Sequence, residues 1–513
     1  MVSRIPASCA ALFALAALAA SPARPVAQDA PRPAASAPQH PQQPPQQHRK
    51  LLPADSVTQH TITLPGGALA YTATAGTLPL TDAKGETTAE IFYVAFTLSG
   101  SDDARRPITY LFNGGPGAAS AYLDIGAVGP RALDFGADGA LPPRSGHVAD
   151  NPDTWLPFTD LVFIDPVGTG FSRATGGEDE AAKEFWGVGK DLDALADIIR
   201  EHLARTGRIR SPIYIVGESY GGFRAARLAH DLAARRGIML TGVIMVSPVI
   251  DFGLMNSGPL NPLPSALLIP SYAAARLGSK SLEPGALAEA ENFALHDYLV
   301  TLAAGPREGP AAQPFYAKLA ALTGLDEASI ARWQGRIPVD NYLHDVERRD
   351  GRVVSRYDAT VSGIDPNPWD PGDTDDPVLD RSIAPFTSAF LAYAHDELGF
   401  KTDQPYELLN RAVGRRWDWR SGQRGFRALG ASDSLRRALA LDPRLRVMIA
   451  HGVTDLQTPY MMSRYIRDHM PAALSDRIAL KLYLGGHMLY LRGDSRRRLH
   501  DDAQAFFAAP AAE

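Results

Sequence analysis

Six short apolar runs limit what this chain can become: PITYLFN (107–113), TDLVFID (159–165), SPIYIVG (211–217), TGVIMVS (241–247), RLRVMIA (444–450) and RIALKLYL (477–484). They are rich in β-branched and aromatic residues and bounded by Gly, Pro, Asp or Ser, which is the pattern of strands. Helical periodicity lies between several of them, as in EFWGVGKDLDALADIIREHLART (184–206). Strands alternating with helices predict an α/β fold around a mostly parallel central sheet. Ahead of them, VTQHTITL (57–64), ALAYTATAGTL (68–78) and AEIFYVAFTL (89–98) are separated by turn residues and predict antiparallel strands.

With 45% hydrophobic and 21% charged residues over 513, and a formal net charge of −6, the chain has the composition of a globular protein with a large core. Nothing in it is basic enough to suggest nucleic acid as a partner. The N-terminus, MVSRIPASCAALFALAALAASPA, sets Arg4 before an apolar run from Cys9 to Ala20. That run is too short for a membrane span and ends in small residues suited to cleavage. Residues 1–20 therefore read as a secretory signal peptide, and the mature protein as secreted or periplasmic with no membrane span. Cys9 is the sole cysteine, so the mature protein would have no disulfide, thiol nucleophile or cysteine-ligated metal. Residues 21–50, rich in Pro, Gln and Ala, read as a disordered tether.

Folded sequence is expected from residue 51, with a first core segment at 51–250 and a second at 441–513. Between them the strand signal fades. The stretch 251–440 is largely helical, as in GALAEAENFALHDYLVTLAA (285–304) and SIAPFTSAFLAYAHDEL (382–398), with proline-rich loops. An insertion there predicts a helical cap over the carboxyl ends of the strands, where open α/β sheets bind ligands. The loop DPNPWDPGDTDDPVLD (365–380) carries six aspartates but lacks the regular spacing of a calcium loop, and reads as a solvated turn.

The most informative local feature is GESYGG (217–222), which follows the strand SPIYIVG and opens a helix. A strand that turns into a helix through G-x-S-x-G is a nucleophile elbow, which holds the Ser219 hydroxyl out above a sheet. Small residues flank it because a Cβ there would strike the neighbouring backbone. A serine hydroxyl needs a base to take its proton and a carboxylate to orient that base. In α/β hydrolases these follow the serine in the order acid, then histidine, on loops after late strands. RLRVMIA runs into HGVTDLQTP, presenting Asp455, and RIALKLYL runs into GGHM, presenting His487. His451 precedes the acid and sits nearer its strand, so His487 is the expected base.

Four blocks resemble the serine carboxypeptidases and their plant acyltransferase relatives: NGGPGAAS (113–120) with Gly129-Pro130, FIDPVGTGFS (163–172), GESYGG and GGHM (485–488). The resemblance implies an α/β-hydrolase fold, in a secreted member of bacterial type. It also implies catalytic Ser219, Asp455 and His487, an oxyanion hole from the Gly115 and Tyr220 N–H groups, and no metal or organic cofactor. Substrate contacts would come from Asn113, Gly114, Glu218 and Met488. In that family a terminal carboxylate is held by an Asn and two Glu, one protonated. Here Asn113 and Glu218 match, but Ala127 stands where the second Glu belongs, with Leu111 and Ala118 replacing the family's Trp and Cys. Arg224 or Arg131 could supply a bidentate fork for that carboxylate instead. Without a partner, Glu218 is expected to lose its proton at lower pH. The expected activity is cleavage of C-terminal peptide bonds on a peptide or small acyl substrate. An esterase or acyltransferase with the same triad, and an inactive binding protein on this fold, are the alternatives.

Overall fold

The computed structural model describes residues 51–509 except 102–104, 137–138, 140–146, 256–257, 259, 306–308, 370–374 and 421–428. The signal and tether segments, and part of the aspartate-rich loop at 365–380, lie outside the described residues.

The sheet follows one path of nine strands: β1 (Ser56–Leu64), β2 (Gly67–Thr81), β3 (Thr87–Leu98), β4 (Ile108–Phe112), β5 (Asp160–Ile164), β6 (Ile213–Glu218), β7 (Gly242–Val246), β8 (Arg446–Gly452) and β9 (Ile478–Tyr483). A two-residue strand, Arg173–Ala174, pairs with β3 off this path. The spatial order is β1-β2-β3-β5-β4-β6-β7-β8-β9. From β1 to β5 the neighbours run antiparallel, and from β5 to β9 they run parallel. Both parts of the expected arrangement are present, and the fold is α/β.

Alternation along each strand decides which side chain goes where, because successive Cβ atoms point to opposite faces. On β7, Val243 and Met245 join one buried cluster while Ile244 and Val246 join the other. On β8, Val447 and Ile449 go to the first cluster, and Met448 and Ala450 to the second. Both faces are therefore covered, which is why these strands read as unbroken apolar runs. One cover is helix α1 (Val188–Thr206), whose Leu192, Leu195, Ile199 and Leu203 recur at helical spacing, closed by Gly207 at φ 70°. The helix expected over 184–206 begins at Val188, four residues later, and a separate helix precedes it. Gly177–Glu184 ends at Phe185, and Gly187 is extended at φ −172°, ψ 154° before α1 begins.

The inserted stretch 251–440 divides between two packing roles. Residues between Ala266 and Ala359 build a separate apolar cluster around Tyr272, Tyr298 and Leu319, to which the core contributes Leu456. Helix Leu379–Asp396 and the chain after it instead send Phe386, Phe390, Phe400 and Tyr406 into one of the clusters that flank the sheet. A hairpin pairing Arg352–Val354 with Ser362–Ile364 interrupts the otherwise helical insertion. Its residues are too few for a strand pattern to register in the sequence.

Register brings the carboxyl ends of the parallel strands to a common edge. Phe112 lies opposite Gly217, Val246 opposite Glu218, and Gly452 opposite Tyr483. The loops that leave these ends carry Asn113, Ser219, Asp455 and His487.

Phe390 is 1% exposed and stacks on Tyr406. Phe390→Ala should lower the unfolding free energy by about 3–5 kcal/mol, the usual cost of emptying a packed aromatic site. Denaturant midpoints at constant m-value check this; a loss under about 1 kcal/mol would mean that this helix is not part of the core.

Candidate active site

The elbow is strained in the way its sequence requires. Ser219 has φ 60° and ψ −122°, a region that side chains other than glycine seldom occupy. The turn is held from several sides. The Ser219 N–H donates to the Val246 carbonyl at 3.0 Å, and its own carbonyl accepts from Gly222 at 2.9 Å and Val249 at 3.2 Å. A Cβ at Gly217 would overlap the Gly221 carbonyl, and one at Gly222 would overlap Pro248. Helix α2 (Tyr220–Asp231) starts immediately after the serine, so its positive N-terminal end faces the space above Ser219.

Gly114 crosses this N-terminus so closely that a side chain there would lie 2.5 Å from the Tyr220 nitrogen and 2.7 Å from the Glu218 carbonyl oxygen. Its neighbour Gly115 has φ 98°, and the Gly115 N–H donates no hydrogen bond among the described residues. Tyr220, as the first helical residue, has no intrahelical acceptor for its own N–H. Neither N–H donates to a backbone carbonyl among the described residues.

His487 and Asp455 come from the ends of β9 and β8. His487 Nδ1 lies 2.8 Å from Asp455 Oδ2 and 3.0 Å from Thr458 Oγ1. Asp455 is fully buried, and its Oδ1 accepts from the Gln457 and Thr458 N–H groups at 2.7 and 2.9 Å. Burial pushes the Asp455 carboxyl up, but the His487 charge, its hydrogen bond and the Thr458 N–H outweigh this and hold it below the usual carboxylate range. For His487, burial pushes down, while the Asp455 charge and hydrogen bond prevail and raise it. The His487 main chain is fixed by the inserted stretch, since its backbone N–H donates to the Tyr357 carbonyl at 2.5 Å. Gly486 makes that contact possible, because any Cβ there would overlap the same carbonyl. The rival His451 is fully buried on β8 with Nε2 at 2.8 Å from Ser463 Oγ, and burial lowers it to about 4.

Ser219 and His487 line one cleft of about 350 Å³ with Asn113, Gly114, Gly115 and Glu218. Ala118, Met488, Tyr122, Tyr357, Leu379 and Leu409 complete its wall. Glu218 is 4% exposed, and its Oε2 accepts from Asn113 Nδ2 at 2.5 Å and from the Tyr490 hydroxyl at 2.9 Å. Burial, opposed by the His487 charge and these two donors, pushes Glu218 up to about 7. The expectation of a lower titration for Glu218 is thus corrected: loss of a carboxyl partner matters less than loss of water.

Arg224 does not reach the cleft. It is 1% exposed, grips Asp191 through Nε at 2.8 Å and a terminal nitrogen at 2.9 Å, and donates to the Asn113 carbonyl at 2.5 Å. It braces the loop that begins at Asn113 and has no free edge for a substrate carboxylate. Arg131 is also engaged elsewhere, with Asp150 and with Glu397 at 3.0 Å. Ala127 is fully buried and lies outside the cleft wall. Sequence reasoning missed Thr458, Tyr357 and Tyr490. Only Thr458 had a local signal, as the residue closing the turn begun by Asp455.

Fold and site together define an α/β hydrolase with a serine elbow. Over residues 67–257 the chain matches the serine carboxypeptidase family model. Among curated proteins it is 34% identical over 169 residues to serine carboxypeptidase-like 51 of Arabidopsis thaliana, covering 30% of this chain and 32% of that protein. It is 30% identical over 165 residues to a vacuolar serine-type carboxypeptidase of Saccharomyces cerevisiae, covering 31% of this chain and 29% of that one. These alignments span under a third of the relatives' length. The family match ends before Asp455 and His487, whose placement rests on the geometry above. Among solved structures, a peroxisomal alpha-beta-hydrolase of Saccharomyces cerevisiae covers 90% of this chain and 92% of its own at 11% identity, with a TM-score of 0.38. That likeness is too distant to add to the strand order. Among the described residues no helix is long and apolar enough to cross a membrane.

Two outcomes test this geometry. Ser219→Ala and His487→Ala should each cost at least about a thousandfold in kcat, and the double variant little more, because groups that share one step are not additive. Multiplicative losses would show that they do not act together. Asp191→Asn leaves Arg224 buried without its charge partner and should cost about 3–5 kcal/mol in urea unfolding; a change under 1 kcal/mol would contradict the bracing role.

Proposed function

We propose that this chain is an exported serine-type carboxypeptidase. Ser219 Oγ attacks the scissile carbonyl as His487 takes its proton, and the Gly115 and Tyr220 N–H groups receive the developing oxyanion. Asp455 keeps Nδ1 protonated, which leaves Nε2 as the nitrogen able to take the serine's proton. His487 then protonates the leaving amine, and water, activated the same way, releases the acyl group from Ser219. Export rests on the N-terminal charge and apolar run, and the cap role of the insertion on Tyr357, Leu379 and Leu409 in the cleft wall.

One observation carries the peptidase reading over simple ester hydrolysis: a buried carboxyl, Glu218, lines the cleft beside Asn113 and next to Ser219 in the chain. Such a group is costly to bury unless it has a task. Below its titration near 7 it is neutral and can donate a hydrogen bond to the terminal carboxylate of a peptide. Ala127 favours the second reading, an esterase or acyltransferase, because it leaves this carboxyl without an acidic companion.

The sign of the pH effect follows. A peptide's terminal carboxylate is ionised across the working range, whereas Glu218 is neutral below about 7 and charged above it. Blocked dipeptide acids should therefore be preferred over their amides in acid, and the preference should fall at least about tenfold as pH rises through neutrality, the worth of one charge-assisted hydrogen bond. The amide should show only the rising limb set by His487. The ratio of kcat/KM for acid and amide, measured across that range, checks this. Equal turnover at every pH, or faster ester than peptide cleavage, would favour the second reading.

A further inference from the structure

Glu218 is held by a group that the catalytic steps do not use. The Tyr490 hydroxyl lies 3.1 Å from Glu218 Oε1 and 2.9 Å from Oε2, on the short turn Leu489–Leu491 that follows His487 and Met488. Tyr490 is fully buried. A phenol has one proton, so it can satisfy one carboxylate oxygen at a time. Asn113 already donates to Oε2, and its own Oδ1 accepts from the Leu123 N–H at 3.2 Å, which fixes the amide's orientation. Oε1 is thus the oxygen with spare capacity.

We propose that Tyr490 is a positioning residue for Glu218: with Asn113 it fixes the carboxyl plane and leaves Oε1 to carry the proton that meets the substrate's terminal carboxylate. The inference rests on the carboxypeptidase reading and assigns to a phenol the companion role that a second carboxyl cannot fill with Ala127 in the chain. A carboxyl pair competes for one proton and fails once both ionise. A phenol keeps its proton through neutrality, and burial beside Glu218 pushes it further up, so this pairing does not fail in that way.

The other groups that act on Glu218 are accounted for. His487 lowers its titration and Asp455 raises it. Tyr122 and Tyr357 both sense the Glu218 charge, and burial keeps both hydroxyls protonated. None of these four donates a hydrogen bond to Glu218, so Tyr490 and Asn113 alone set its orientation among the described residues.

The test is Tyr490→Phe, which removes one oxygen and keeps the ring. Losing a donor to the anion should move the pH at which acid preference is lost upward by about one unit, while the acid-to-amide ratio on the acidic plateau falls severalfold because the carboxyl is no longer aimed. KM for the acid should carry most of that fall. Glu218→Gln should abolish the pH dependence of the ratio in both backgrounds. A Tyr490→Phe profile that superimposes on wild type, or a loss shared equally by acid and amide, overturns the inference and leaves the carboxypeptidase reading standing. No acid preference in wild type at any pH overturns both. If Tyr490→Phe turns over too slowly to assay, the Glu218 titration can be read in Ser219→Ala from the carbonyl-stretch band of the protonated acid, with Glu218→Gln subtracted. An unmoved band in Tyr490→Phe then overturns the inference, and an upward shift supports it.

Discussion

The active-site architecture hangs on one backbone constraint. Ser219 must sit at φ 60° between a strand and a helix, and that conformation persists only because everything around it leaves no alternative. Its N–H and carbonyl are tied to β7, to the turn after β7 and to α2. The loop after β4 crosses the helix start at a distance only glycine permits. Arg224, paired with Asp191, holds the carbonyl of Asn113 at the head of that same loop. The strain costs about 1–3 kcal/mol by itself. In return Ser219 is presented to the cleft at the positive N-terminal end of α2.

Around that turn the site sorts its buried titratable groups by the company each keeps. Asp455 has a charge partner and two N–H donors, so it stays ionised despite burial. His487 gains from that ion and is raised. Glu218 has donors but no cation in contact, and burial wins. His451 has only a serine, and is kept neutral. Asp455, His487, Glu218 and His451 thus acquire distinct protonation states, each set by its own neighbours and burial.

Much of this was legible in the sequence because its determinants are local. Strand runs, the elbow and the acid and histidine beyond late strands each depend on residues within a few positions, and the strands' apolar continuity follows from burial on both faces. What was not legible depends on partners far apart in the chain. Arg224 looked available because its partner Asp191 lies 33 residues earlier on another helix. Glu218 looked easy to ionise because sequence carries no record of solvent. Tyr490 has no local pattern that ties it to a carboxyl 272 residues away. The two packing roles within 251–440 were not legible because helical periodicity does not say which cluster a helix will join. The break at Gly187 was hidden by apolar residues in helical phase on either side.

The central claim is that Ser219 is a nucleophile activated by His487 within a preformed oxyanion site. Reaction of the purified protein with a fluorophosphonate, followed by mass spectrometry of its peptides, addresses it directly. This account predicts a single adduct on the peptide containing Ser219, with labelling absent in Ser219→Ala and slowed at least about a thousandfold in His487→Ala. An adduct on another serine, or an unreactive wild-type protein with its fold intact, would contradict it.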